Sequence, residues 1–122
     1  MQKKVMIIED NEMLSDMYNF KLWIEWYKVF VENNSETALA NFKKFEPDII
    51  LLDLMMPIVS GFDILKTIKQ DLKSDVKIIV LSNLNGTGDK EKALSLGADK
   101  YILKSSLSPK DLIPEIKELL QK

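Results

Sequence analysis

Five polar side chains stand where apolar runs stop. Glu9 and Asp10 follow Val5 to Ile8, Asp53 closes Ile49-Ile50-Leu51-Leu52, Ser82 follows Ile78 to Leu81, and Lys104 follows Tyr101-Ile102-Leu103. Taken singly, each acid reads more readily as a solvated loop residue. Together they define a chemistry. Carboxylates brought within a few ångströms of one another stay ionised only if a cation compensates them. Oxygen ligands without imidazole or thiolate select a hard ion, and a few carboxylates with retained waters suit Mg²⁺. A carboxylate held beside Mg²⁺ can attack a phosphoryl group and form an aspartyl phosphate, a reaction governed by positioning and charge neutralisation. Lys104 would bring a second positive charge to the phosphoryl oxygens, and Ser82 a hydroxyl donor.

Such a site requires a scaffold that gathers strand ends. Five short apolar runs, Val5 to Glu9, Lys28 to Glu32, Asp48 to Asp53, Val76 to Leu81 and Lys100 to Leu103, alternate with helix-favouring stretches at 11–26, 36–45, 61–72, 88–97 and 108–121. This is a βα repeat, and strands this apolar are expected to be buried on both faces of a parallel sheet. Ser35 is expected to cap the second helix, Gly97 to end the fourth, and Ser108-Pro109 to start the last, while Pro47 separates the second helix from the third strand. Right-handed crossovers put helices on both faces. The expected fold is α/β and flavodoxin-like, a five-stranded parallel sheet of order 2-1-3-4-5, as a single domain over residues 1–122. The switch point then lies between strands one and three, and Glu9-Asp10 sit beside Asp53.

Composition narrows the field. With 122 residues, 46% of them hydrophobic, the chain can bury a core without disulfides. It has no cysteine and no histidine, so thiolate chemistry and imidazole general-base catalysis are excluded. A net charge of −2, with every basic residue a lysine, gives no reason to expect nucleic acid as a partner. No apolar stretch approaches a membrane span, no signal-peptide core is present, and the cytoplasm is the expected location.

The sequence resembles response regulator receiver domains from about Lys4 to Leu120. The resemblance rests on Glu9-Asp10-Asn11, on Asp53-Leu54-Met55-Met56-Pro57 with Gly61 four residues on, on Ser82, on the Leu96-Gly97-Ala98-Asp99 turn, and on Tyr101 and Lys104. It implies that Asp53 is the phospho-acceptor, Asp10 a direct Mg²⁺ ligand, Glu9 a ligand directly or through water, and Met55 a backbone-carbonyl ligand. Lys104 would pair with the phosphoryl group and Ser82 close over it, after which Tyr101 swings inward and reshapes a protein-binding face. The implied donor is a phosphohistidine on a sensor histidine kinase or a histidine phosphotransfer protein. The only catalysis implied is of the domain's own phosphorylation and dephosphorylation.

Three features depart from the family pattern. Ser105 follows Lys104 where relatives carry a cis proline, so this bond is expected to be trans, or to be a strained cis bond costing about 3–4 kcal/mol. Met55 and Leu84, two residues beyond Asp53 and Ser82, are apolar and cannot orient a hydrolytic water, which predicts slow autodephosphorylation. In the first helix, Leu14, Met17, Tyr18 and Leu22 suffice as a core stripe, yet Phe20, Trp23, Ile24 and Trp26 are apolar too. Phe20 and Trp23 point away from that stripe and are candidates for a partner contact, as the phosphodonor makes in the family; a helix end folded over Trp26-Tyr27 is the alternative.

Other functions fit less well. An aspartyl-nucleophile phosphohydrolase needs a second acid where Met55 stands, and room for a cap. A scaffold that never takes phosphate has no need of the complete set of acids, hydroxyl and lysine. Nucleotide or flavin binding lacks a glycine-rich loop after the first strand. Neither an output domain nor a target is legible, and the sequence is compatible with a stand-alone regulator or a piece of a longer protein.

Overall fold

The computed structural model describes residues 2–83 and 87–121. Five strands, β1 (Lys4–Ile8), β2 (Lys28–Glu32), β3 (Ile49–Asp53), β4 (Lys77–Ser82) and β5 (Lys100–Leu103), pair in parallel in the order β2-β1-β3-β4-β5. Between and after them run α1 (Glu12–Ile24), α2 (Ala38–Phe45), α3 (Gly61–Lys66), α4 (Thr87–Ser95) and α5 (Leu112–Leu120). The expected architecture and order are therefore both present.

Strand alternation divides the core in two. Met6, Ile8, Ile50, Leu52, Ile78 and Val80 face α2, α3 and α4 through Phe42, Ile64, Leu65, Ile68 and Ala93. Val5, Ile7, Ile49, Leu51, Ile79 and Leu81 face α1 and α5 through Tyr18, Leu22, Leu112, Ile113, Ile116 and Leu119. Burial on both faces explains why β1, β3 and β4 read as unbroken apolar runs rather than alternating ones.

Local details correct several expectations. Ser35 does not cap α2; the helix begins after Thr37, and the Ser35 hydroxyl is spent on the loop after β3. Residues 61–72 are not one regular helix, since α3 continues as a π-helical turn over Thr67–Asp71, closed by Leu72 N donating to Thr67 O. The last helix opens with a 3₁₀ turn over Pro109–Asp111, where the Asp111 carboxylate accepts from the Ser108 amide and hydroxyl.

Met17 is not part of the core stripe of α1: it is 48% exposed, and the buried positions are Ser15, Tyr18 and Leu22. This helix ends in the same paired hydrogen bonds as α4. Trp26 N reaches Trp23 O and Tyr27 N reaches Leu22 O, as Gly97 N reaches Leu94 O and Ala98 N reaches Ala93 O. Gly97 takes the positive φ this cap needs, at 114°, whereas Trp26 adopts φ 72° with a bulky side chain, costing about 1–2 kcal/mol.

Candidate functional site

The C-terminal ends of β1, β3, β4 and β5 deliver Glu9, Asp53, Ser82 and Lys104 to one edge of the sheet. Glu9 is fixed from several directions. Its amide donates to Glu32 O at 3.0 Å, and its carbonyl accepts from Asn33 Nδ2 at 2.7 Å. Asn33 also donates to the Ser15 hydroxyl at 2.9 Å, which ties this loop to α1. The Asn11 amide donates to Glu9 Oε2 at 3.2 Å, while the Asn11 side chain accepts from Leu14 N and caps α1. One residue thus starts a helix and orients an acid.

One carboxylate oxygen from each of Glu9, Asp10 and Asp53 lies within 4.8 Å of the others. Asp10 is exposed, while Glu9 and Asp53 keep only 3% and 5% of their surface. Lys104 Nζ stands 2.5 Å from Glu9 Oε1 and 3.1 Å from Asp53 Oδ1. Glu9 Oε1 is buried, and the Lys104 ammonium, which also contacts Asp53, lies against it. The Met55 amide donates to Asp53 Oδ1 at 3.3 Å.

Electrostatics agree that negative charge is in excess. Burial, together with the Glu9 charge, pushes the Asp53 carboxyl up to about 7 despite Lys104. Burial works against the Lys104 ammonium, but contact with Glu9 and the charge of Asp53 outweigh it and raise its pKa. Tyr18, beneath the site on α1, is pushed up to about 12 by burial and then by the fields of Glu9 and Asp53, so its phenol stays protonated. Two buried acids and one exposed acid against one lysine fit a hard divalent cation.

The loop after β3 is held by residues whose sequence gave no sign of it. Ser35 donates to Pro57 O at 2.6 Å and accepts from Val59 N at 3.3 Å, and between them Ile58 is held at φ 73°. Gly61 is required by close approach: a Cβ there would collide with the Asp53 carbonyl oxygen and lie 2.6 Å from Leu54 Cα. Its amide donates to Leu54 O at 2.9 Å, so α3 starts directly against the backbone of the acid. Asn33 and Ser35 were missed because hydrogen bonds between loops leave no periodic signal.

The remaining candidates fall as follows. Ser82 is fully buried at the end of β4, one step past Leu81, the register partner of Asp53. Tyr101, half-buried on β5 opposite Val80, packs against the core on the α2–α4 side. Met55 is 61% exposed beside Asp53. Leu84 lies outside the described residues. None of the described peptide bonds is cis, so Lys104-Ser105 is trans, and the lysine still reaches both acids. Phe20 and Trp23 are 64% and 70% exposed, as expected, and the helix end is not folded over its loop: Tyr27 is buried but Trp26 is 75% exposed.

A 2-1-3-4-5 parallel sheet with three acids and a lysine at its switch point defines a receiver-type α/β domain. The model of the response regulator receiver domain matches residues 5–117, and the chain belongs to this family of two-component signalling proteins. It is 37% identical, over its full length, to a probable transcriptional regulator ycf27 of Porphyridium aerugineum, and 37% identical over 97% of its length to the sensory transduction protein RegX3 of Mycolicibacterium smegmatis. In both cases it spans about half of the relative, 50%. Among solved structures, a CheY-like receiver domain protein of Methanospirillum hungatei JF-1 superposes with a TM-score of 0.92 at 26% identity, covering 99% of this chain and 95% of that one. The BeF3-activated DrrB receiver domain gives 0.88 at 25% identity, with full coverage of both.

Proposed function

We propose that this domain accepts a phosphoryl group on Asp53 from a phosphohistidine donor, a sensor kinase or a phosphotransfer protein, and that the phosphorylated form presents a changed protein-binding surface. The observation that carries this reading is the position of Lys104 between Glu9 and Asp53, with three carboxylates turned toward one point. Glu9, Asp10, Asp53 and the Met55 carbonyl would hold Mg²⁺, which when bound supplies the positive charge that lets the acids ionise together and neutralises the incoming phosphoryl oxygens.

An Asp53 carboxylate oxygen forms the new bond to phosphorus as the bond to the donor's imidazole nitrogen breaks, and the departing imidazole takes up a proton. Lys104 moves its charge onto a phosphoryl oxygen, exchanging one anionic partner for another. Ser82 donates its hydroxyl to a second oxygen, and Tyr101 turns inward in response. The exposed thioether of Met55 offers no hydrogen bond to an attacking water, so the aspartyl phosphate is long-lived. The domain then acts in the cytoplasm on no substrate other than itself, through a downstream protein or an output domain.

Incubation with acetyl phosphate and Mg²⁺, followed by intact mass spectrometry, tests this. The expected result is a single phosphoryl adduct, absent from Asp53→Asn and absent when the metal is chelated. An unmodified chain with every small phosphodonor and with a phosphorylated phosphotransfer protein would favour a phosphorylation-independent scaffold.

A further inference from the structure

Helix α1 is apolar on two sides, and the fold uses only one of them. Leu14, Tyr18 and Leu22 face the sheet. On the other side Met13, Met17, Phe20 and Ile24 follow at steps of four, three and four, and they are 76%, 48%, 64% and 53% exposed. Trp23, a quarter turn from this strip in the last turn of the helix, and Trp26, just past its end, are 70% and 75% exposed, and with Ile24 and Gln2 they line a recess of about 380 Å³. Trp26 also holds the left-handed position that α4 gives to Gly97. This tryptophan is therefore three-quarters exposed on a strained backbone.

The six side chains expose on the order of 800 Å². That exceeds the largest apolar patch of a typical monomer, about 300–600 Å², and equals one partner's share of a standard interface, about 800 Å². We propose that this face joins two copies of the chain, α1 against α1, about a two-fold axis. The four-three-four spacing is that of the a and d positions of a two-helix seam, and Asp16 and Lys21 then occupy its flanking g and e positions. In a parallel pair, Asp16 of one copy meets Lys21 of the other, and symmetry repeats the contact on the opposite flank. Both requirements of a self-complementary surface, an apolar strip and opposite charges beside it, are met on one helix. The association does not depend on the chemistry of Asp53.

Sedimentation equilibrium of the whole chain, without phosphodonor, provides the test. Dimer is expected at about 10 µM. Phe20→Ser with Trp23→Glu should give monomer with an unchanged circular dichroism spectrum and with the melting curve that the parent shows at concentrations where it too is monomeric, while Asp53→Asn should remain dimeric. Asp16→Lys should weaken association at least about tenfold, and adding Lys21→Asp should restore it. Trp26→Gly should raise the melting temperature of the monomer while weakening the dimer, a pair of effects that a merely structural tryptophan would not show. A chain that stays monomeric at about 100 µM overturns the proposal. So does a dimer indifferent to Phe20 and Trp23, and a monomer that loses only kinase coupling in the double variant identifies the phosphodonor as the occupant instead.

Discussion

Glu9 and Glu32 are buried glutamates at the ends of neighbouring strands, joined by a backbone hydrogen bond from Glu9 N to Glu32 O, and they have opposite fates. Glu32 is surrounded by its own donors. Its carboxylate accepts from the Thr37 hydroxyl at 2.9 Å, from Asn41 Nδ2 at 2.7 Å and from Asn34 N at 3.3 Å, and it organises the turn into α2. Glu9 is aimed at two other acids, and its buried oxygen meets only an ammonium that it shares with Asp53. A buried acid supplied with donors is part of the scaffold; a buried acid set against other acids is waiting for a charge from outside. The distinction lies in the surroundings of the carboxylates, because in sequence each is simply the glutamate that closes an apolar run.

The sharpest way to break that comparison is to remove the one cation that Glu9 has. Lys104→Ala leaves two buried carboxylates without compensation, and breaking such a pair costs about 3–5 kcal/mol. Urea denaturation in chelator should register this loss, and millimolar Mg²⁺ should recover most of it. If the variant is as stable as the parent without metal, the acids are not under electrostatic stress. In the proposed reaction the same variant should also take up phosphoryl groups without a conformational response.

The two glutamates can then be opposed directly. Glu32→Ala strands the Thr37 and Asn41 donors and should cost about 1–3 kcal/mol, leaving Mg²⁺ affinity untouched. Glu9→Gln should do the reverse, keeping or raising stability in chelator while Mg²⁺ affinity, read by titrating Trp or Tyr fluorescence, falls about tenfold or more. Equal effects of both changes on metal affinity would erase the distinction.

How much of this was legible beforehand depends on the kind of signal. Apolar runs of β1, β3 and β4 announced the sheet, and the polar residues at their ends announced the site, because burial on both faces leaves chemistry nowhere else to stand. Helix α1 was read less well. Its apolar residues spread over more than one side, so periodicity could not say whether Met17 or Ser15 faces the sheet; the small Ser15 does, since its hydroxyl closes a hydrogen bond with Asn33. Ser35 has the type and place of a helix cap, but it is buried against Pro57, and only the tertiary approach of two loops could reveal that.

Acidity offers a third measurement. The folded chain holds the Asp53 proton up to about 7, whereas an unfolded aspartate releases it near 3.8, so between these values the folded state binds more protons. Stability from this group is therefore full below the unfolded value and declines as pH rises through the folded one. In chelator, the stability of the parent relative to Asp53→Asn should fall by about 3 kcal/mol between about pH 4 and pH 7. Mg²⁺ should flatten the difference, because it binds the ionised form. A difference that is constant with pH would show Asp53 ionised throughout, and Glu9 no more stressed than Glu32.

The smallest effect concerns the lifetime of the phosphoryl group. Met55 gives Asp53 a backbone donor while its side chain, 61% exposed, lies beside the acid with nothing to offer water. Replacing the thioether by an amide of similar reach adds a donor and an acceptor on the side from which water must attack. Met55→Gln should speed loss of the phosphoryl group about threefold to tenfold, at most about 1.4 kcal/mol of barrier. Because the backbone contact is kept, neither Mg²⁺ affinity nor stability in chelator should move. An unchanged lifetime would mean that access to phosphorus is limited elsewhere and that the apolar residue next to Asp53 is incidental to it. A coupled loss of metal affinity would mean instead that the loop, with Ile58 held in its strained conformation by Ser35, tolerates no change near the acid it carries.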